Sequence, residues 1–165
     1  LNTKENRNTE ALSILGELIK KYPLNINFRI AEAEIYESSE ELEMAQEILA
    51  QALDTSPGNY PLTVKYAETL LAAGKPELAA ERLQPLSKNR PSDLFVWYLL
   101  AESYGLAKNI PALHEARAKF FSLKGNFDQA IKQLSYALPL VTSDFQASAR
   151  IRQDIKDIIK LKNPR

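Results

Sequence analysis

The chain has 165 residues, of which 45% are hydrophobic and 25% charged, with a formal net charge of zero. This length supports one domain with a real core, and the charge balance argues against a general affinity for nucleic acid or anionic lipid. No apolar run approaches the roughly 20 residues that span a bilayer, no signal peptide is visible, and the absence of cysteine removes disulfide and thiolate chemistry.

The chain opens on Leu1 rather than Met, so it is expected to be part of something longer, with any address label upstream. "LNTKENRNT" is polar and reads as a frayed lead-in. The following segment, "EALSILGELIKKYP", places Ala11, Leu15, Leu18 and Pro23 as in the second helix of a helical hairpin, a half repeat over 8–24. From Ile26 the same spacing recurs with a fixed period, the length of a two-helix repeat unit. The unit 26–59 holds Ala33, Tyr36, Ala45, Leu49, Ala52 and Pro57. The unit 60–93 holds Ala67, Leu70, Gly74, Ala79, Leu83 and Pro91. The third unit, 94–124, opens with "WYLLAESY", in which Trp97, Leu100, Ala101 and Tyr104 share one helical stripe, and Trp97 is expected in the core. Small residues at 33, 67 and 101 let paired helices approach closely. Gly74 and Gly125 permit the left-handed backbone that ends a helix, and Pro57 and Pro91 cannot continue one.

The phase then breaks. Ala45 and Ala79 stand one period apart, but Ala79 and Ala130 stand one and a half periods apart. A helix with its turn takes about half a period, so three helices stand where two belong. "PALHEARAKFFSLK" closes the third unit and also opens a fourth, overlapping one over 111–142, with Ala118 and Phe121 at its small and aromatic positions. The double role shows as misfits: the Ala and Leu positions of the third unit's second helix hold Leu113 and Arg117. The last helices, about 126–140 and 144–162, are expected to fold across the end of the array. Asp144 would cap the final helix, and Lys160 and Lys162 would suit its C-terminal end.

These are the positions of the tetratricopeptide repeat (TPR), whose pattern is a Trp-x-x-Leu-Gly/Ala-x-x-Tyr first helix, an Ala-x-x-x-Phe/Leu-x-x-Ala second helix and a closing Pro. The expected fold is therefore all-α, a single TPR helical-hairpin solenoid over 1–165 with a fold-back at its C-terminal end. The stretch from Trp97 to Leu134, and above all the run Ala116–Ile131, also resembles the C-terminal TPR region of bacterial periplasmic zinc metalloproteases of the β-barrel assembly-enhancing protease (BepA) type. That resemblance implies an attached peptidase domain with a zinc-bearing His-Glu-x-x-His helix, a periplasmic location, and partners among outer-membrane assembly components or unfolded barrel proteins. The peptidase domain itself is a further possible partner.

The catalytic motif is absent from this sequence, so no catalytic or metal residue carries over and no cofactor is expected here. His114 is the one histidine, against the three protein ligands a zinc hydrolase needs, and it is expected to be packed or on the surface. The fragment is read as a non-catalytic protein-interaction domain. A free-standing TPR adaptor of a secretion or pilus assembly system is the other reading.

A partner is expected in the concave groove. Glu34, Glu68 and Glu102 recur at intervals of one period and could form an acidic ladder, with Lys119 at the equivalent place in the overlapping unit. Ile30, Val64, Phe95 and Tyr98 occupy groove-facing positions beside them, open unless the last helices cover them. Aromatic side chains with neighbouring carboxylates suit an extended peptide or a docked helix. Residues 26–59 carry seven Glu and one Asp against Arg29 alone, whereas 126–165 carry seven basic and four acidic side chains. Both are read chiefly as solvated faces.

Overall fold

A computed structural model describes the backbone of residues 2–163 and the side chains of 6–163. The described residues form helices α1 (Asn2–Lys21), α2 (Ile26–Ser38), α3 (Leu42–Thr55), α4 (Tyr60–Ala72), α5 (Pro76–Asn89), α6 (Leu94–Leu106), α7 (Ile110–Leu123), α8 (Phe127–Ala137) and α9 (Phe145–Lys162), with a short 3₁₀ stretch at Leu138–Val141. No strand occurs among them. The chain divides into two compact units, Leu1–Arg82 and Leu83–Arg165.

Two kinds of turn recur along the chain. The first links helices within a hairpin and uses one residue in the left-handed region, at Glu40, Gly74, Lys108 and Gly125, with φ of 63°, 69°, 57° and 74°. Each time, the N–H of that residue donates to the carbonyl three back, as in Gly74 to Leu71 at 3.0 Å and Lys108 to Gly105 at 3.1 Å. The next N–H donates five back: Glu41 to Tyr36, Lys75 to Leu70, Asn109 to Tyr104 and Asn126 to Phe121, all at 2.9 Å. This pair of bonds satisfies carbonyls that the helix end leaves open. The second kind of turn leads to a new hairpin and ends on a side-chain cap at Asn25, Asn59, Asp93 and Asp144, each accepting an N–H of the helix it precedes. The first three left-handed turns follow one another at one period, and the fourth comes after only half a period. The first three caps keep the same period, and the fourth comes after one and a half. The long interval in the caps and the short one in the turns are the same event: α7 is joined by identical turns to α6 and to α8.

In the first unit, α2 packs against α1, α3 and α4. Ala33, Ala45, Leu49, Ala67 and Leu70 are buried there at the predicted close approaches. Lys65 of α4 reaches Glu37 of α2 at 2.6 Å, and Thr69, fully buried, donates to the same carboxylate. A buried hydroxyl and a half-buried charge thus satisfy each other.

In the second unit, α7 packs against both α6 and α8. It buries Ala116 and Ala118, which lie roughly 200° apart around a helix of 3.6 residues per turn. A helix with one partner has one apolar stripe; α7 has two buried sides. Ala118 joins Ala130, Leu134, Ala137, Ile151 and Ile158 in a core shared by α7, α8 and α9. α9 thus lies back over the α7–α8 hairpin, and Arg150 forks onto Glu115 of α7 with contacts of 2.9–3.1 Å.

Several expectations are corrected. Asn2–Thr9, read as a frayed lead-in, is helical, and Asn8 donates to Ser38 and Ser39 at the end of α2; Leu1 lies outside the described residues. Growth of a helix from an anchored segment adds one bond per residue, which outweighs the weak propensity of Asn and Thr. The helix expected to run to 140 ends at Ala137, and its chain tightens into the 3₁₀ stretch around Pro139, which has no N–H to give. Asp144 caps α9, accepting from Ala147 at 2.9 Å. Lys160 and Lys162 stand in the last turn of α9, as expected, and also bond the side chains of Asp157 and Asp128.

Glu40 and Lys108 hold a conformation that costs a residue with a Cβ about 1 kcal/mol. Lys108→Gly is expected to stabilise the protein by about 0.5–1 kcal/mol, raising the melting temperature by about 2–4 °C per kcal/mol. Thermal unfolding followed by circular dichroism checks this, and Lys108→Ala should give no gain.

Candidate protein-interaction groove

α6 is apolar on nearly all sides, so packing one side leaves another open. Val96, Leu99, Leu100 and Ser103 are buried, and Ser103 satisfies its hydroxyl on the Leu99 carbonyl at 2.7 Å. The opposite stripe is exposed. Phe95 (42%) and Tyr98 (50%) stack with ring centroids 6.2 Å apart and planes 11° from parallel, and Leu106 stands one turn beyond Glu102. The final helices do not cover these aromatic rings.

This stripe forms one wall of an open cavity of about 430 Å³. α6 contributes Tyr98, Ala101, Glu102, Gly105 and Leu106, and α7 contributes Leu113, Arg117, Phe120 and Phe121. The wall from α7 exists because the phase shift turns that helix toward α6 with Leu113 and Arg117, the two residues that fit the repeat pattern worst. Gly105 stands opposite Leu113, where a Cβ would make an ordinary contact at 3.7 Å with Leu113 Cδ1. The cavity lining is mostly apolar and includes one carboxylate, Glu102, and one guanidinium, Arg117. Neither Glu102 nor Arg117 forms an ion pair with another described residue.

The other predicted groove residues are placed differently. Glu34 lies in the first unit, exposed, 3.7 Å from Lys65. Glu68 is half-buried and engaged by its neighbours. Ile30 is half-buried, and Val64, 9% exposed, offers a partner almost no surface. Lys119 does not share the wall with Glu102. It lines a second cleft of about 520 Å³ on the other side of α7, bounded by the α5–α6 turn and by α9. Trp97 lines that cleft too. It is only partly buried, which corrects its expected place in the core, and its indole N–H donates to the Pro91 carbonyl at 3.0 Å. His114 packs between α7 and α8, with Nδ1 2.8 Å from Gln133 Oε1 and its ring against Tyr136. Among the described residues no group of three or more His, Cys, Asp or Glu side chains is arranged to hold a metal ion. No described helix is long and apolar enough to cross a membrane.

The hairpins, their recurring turns and the groove define an all-α TPR solenoid. The family model of the tetratricopeptide repeat matches residues 39–103. Among solved structures the chain is similar to MamA from Desulfovibrio magneticus RS-1, at 16% identity and a TM-score of 0.63, covering 98% of this chain and 92% of that one. It is also similar to a tetratricopeptide repeat protein from Parabacteroides merdae, at 16% identity and a TM-score of 0.60, covering 98% and 76%. YrrB, described as a TPR protein with an unusual peptide-binding site, matches at 14% identity and a TM-score of 0.51, covering 92% and 86%. No curated protein matches the chain.

Asp154, on α9, lines the second cleft, and its surroundings raise its pKa. Burial, then the nearby Glu115 carboxylate, raise its pKa, while Arg150 and Lys119 oppose them. With the folded value above the unfolded one, the native state holds this proton more tightly. The group's contribution to stability is therefore greatest in acid and falls as pH rises through the raised value. Asp154→Asn is expected to melt above the parent at pH 7. The difference should vanish as pH drops below the ordinary aspartate range, and melting curves over that interval check the sign.

Proposed function

We propose that this chain is a protein-interaction module whose α6–α7 groove takes an apolar segment of a partner polypeptide. One observation carries the reading: an open, mostly apolar cavity continuous with the exposed Phe95–Tyr98 stack, its lining including Glu102 and Arg117. Its volume suits one or two large side chains, and rigid aromatic walls are typical anchors for them. The peptide-binding site of YrrB, on a similar fold, supports this class of function.

The finer reading places the module beside a periplasmic zinc metalloprotease that acts on outer-membrane protein assembly or quality control. The zinc would be held by the attached peptidase domain. Support comes from the run Ala116–Ile131, which includes Arg117, Phe120 and Phe121 of the groove. An unfolded barrel strand alternates apolar and polar side chains, and such a segment matches a groove with a mostly apolar lining and one charge of each sign.

A dye-labelled decapeptide alternating aromatic and polar residues tests the first reading by fluorescence anisotropy. Tyr98→Ala is expected to weaken its binding about tenfold or more, and Glu102→Lys to alter affinity with melting unchanged. Equal affinity of the parent and Tyr98→Ala would remove the groove as the site. For the finer reading, a His-Glu-x-x-His motif is expected upstream of Leu1 in the parent protein, and sequencing without finding it would refute the protease association.

A further inference from the structure

The second cleft is a product of the same phase shift and lies on the opposite side of α7. Its apolar lining comes from Trp97, Ala118, Leu134, Ile158 and Leu161. Trp97, at a repeat-signature position, is half-buried and lines the cleft.

The charges around the apolar lining are not equivalent. Arg150 and Glu115 neutralise each other through the forked pair. Asp157 accepts from Gln153 at 3.0 and 3.1 Å and from Lys160 at 3.3 Å. Asp154, one turn from each on the same side of α9, has no hydrogen bond or ion pair with any described residue. Lys88 and Lys119 are exposed at the rim, and neither comes within ion-pair distance of it. The cleft thus joins apolar lining residues, a half-buried indole and a carboxylate with no hydrogen bond or ion pair among the described residues, near the charges of Lys119 and Arg150.

We infer that this cleft is a second interaction site, which takes an arginine or lysine side chain on an apolar segment of a partner protein, the cationic head pairing with Asp154 and the stem lying along Trp97, Ile158 and Leu161. Long cationic side chains suit such a place, since the stem covers apolar surface while the head stays at a polar edge, and an indole face attracts a cation. The surroundings of Asp154 leave room for one more cation: burial and the Glu115 carboxylate disfavour its charged form, Arg150 and Lys119 oppose them only in part, and an added cation would offset the repulsion from Glu115. The inference does not depend on the α6–α7 groove.

Trp97 is the chain's only tryptophan, so its emission reports on the cleft directly. The full chain is titrated with two blocked pentapeptides, Leu-Leu-Arg-Leu-Leu and Leu-Leu-Glu-Leu-Leu. The arginine peptide is expected to shift the Trp97 emission saturably, with the glutamate peptide at least fivefold weaker. Asp154→Asn should remove that preference, and Lys119→Ala, which deletes a competing ammonium, should strengthen arginine-peptide binding. Tyr98→Ala should leave the Trp97 response unchanged, which separates this cleft from the groove. Equal binding of the two peptides, no emission change, or an intact preference in Asp154→Asn would each overturn the proposal.

Discussion

The structure depends on one local constraint, the left-handed turn that closes each hairpin. Two backbone bonds, reaching three and five positions back, fix how the chain leaves one helix and enters the next. Because the turn at Lys108 is followed by another at Gly125 after only half a period, the chain makes two consecutive hairpins without the longer, side-chain-capped link between them. Everything distinctive in the second unit follows from that. α7 must be small on two sides, which Ala116 and Ala118 provide, and α9 then closes over the α7–α8 pair through Ile151 and Ile158.

The same displacement creates both candidate surfaces. On one side of α7 it sets Leu113, Arg117, Phe120 and Phe121 against the open stripe of α6. On the other it leaves Trp97 half-buried and lets α9 bring acidic and basic side chains beside an apolar lining. One helix thus separates a groove that is mostly apolar from a cleft with charges of both signs. Surfaces so different in chemistry suit different partners, and their shared wall ties the fate of each to the packing of the other.

Much of this was legible in the sequence because it rests on local chemistry with a fixed period. Alanines at close approaches and glycines at 74 and 125 recur at the intervals that stacked hairpins require. The turns at Glu40 and Lys108 carried no such sign, since tertiary packing forces those residues into a backbone that their side chains disfavour. Trp97 sits at a signature position yet is only half-buried, because a cleft opens beside it, and the burial of a repeat position depends on neighbours that its own local sequence does not specify. The site was legible in a negative sense. Leu113 and Arg117 stood out as poor matches to the repeat, and a misfit in a regular array marks a place where the side chain faces something other than the next helix. Glu34, Glu68 and Glu102 show where periodicity stops informing: equal spacing along the chain does not give equal surroundings, since Glu34 meets Lys65, Glu68 is partly enclosed and Glu102 lines a cavity.

The equivalence of the turns at Lys108 and Gly125 reaches into how such a chain is assembled. Asn109 and Asn126 each follow a left-handed residue and each cap the helix they begin, accepting from Ala112 and Gln129. The segment from Asn109 to Gly125 therefore forms an interchangeable cassette with matching ends. Excising it would splice α6 to α8 through an unaltered joint and return Ala130 to a single period from Ala79. Irregularity in this solenoid is thus modular: half a repeat can be gained or lost at a seam the backbone already knows how to close.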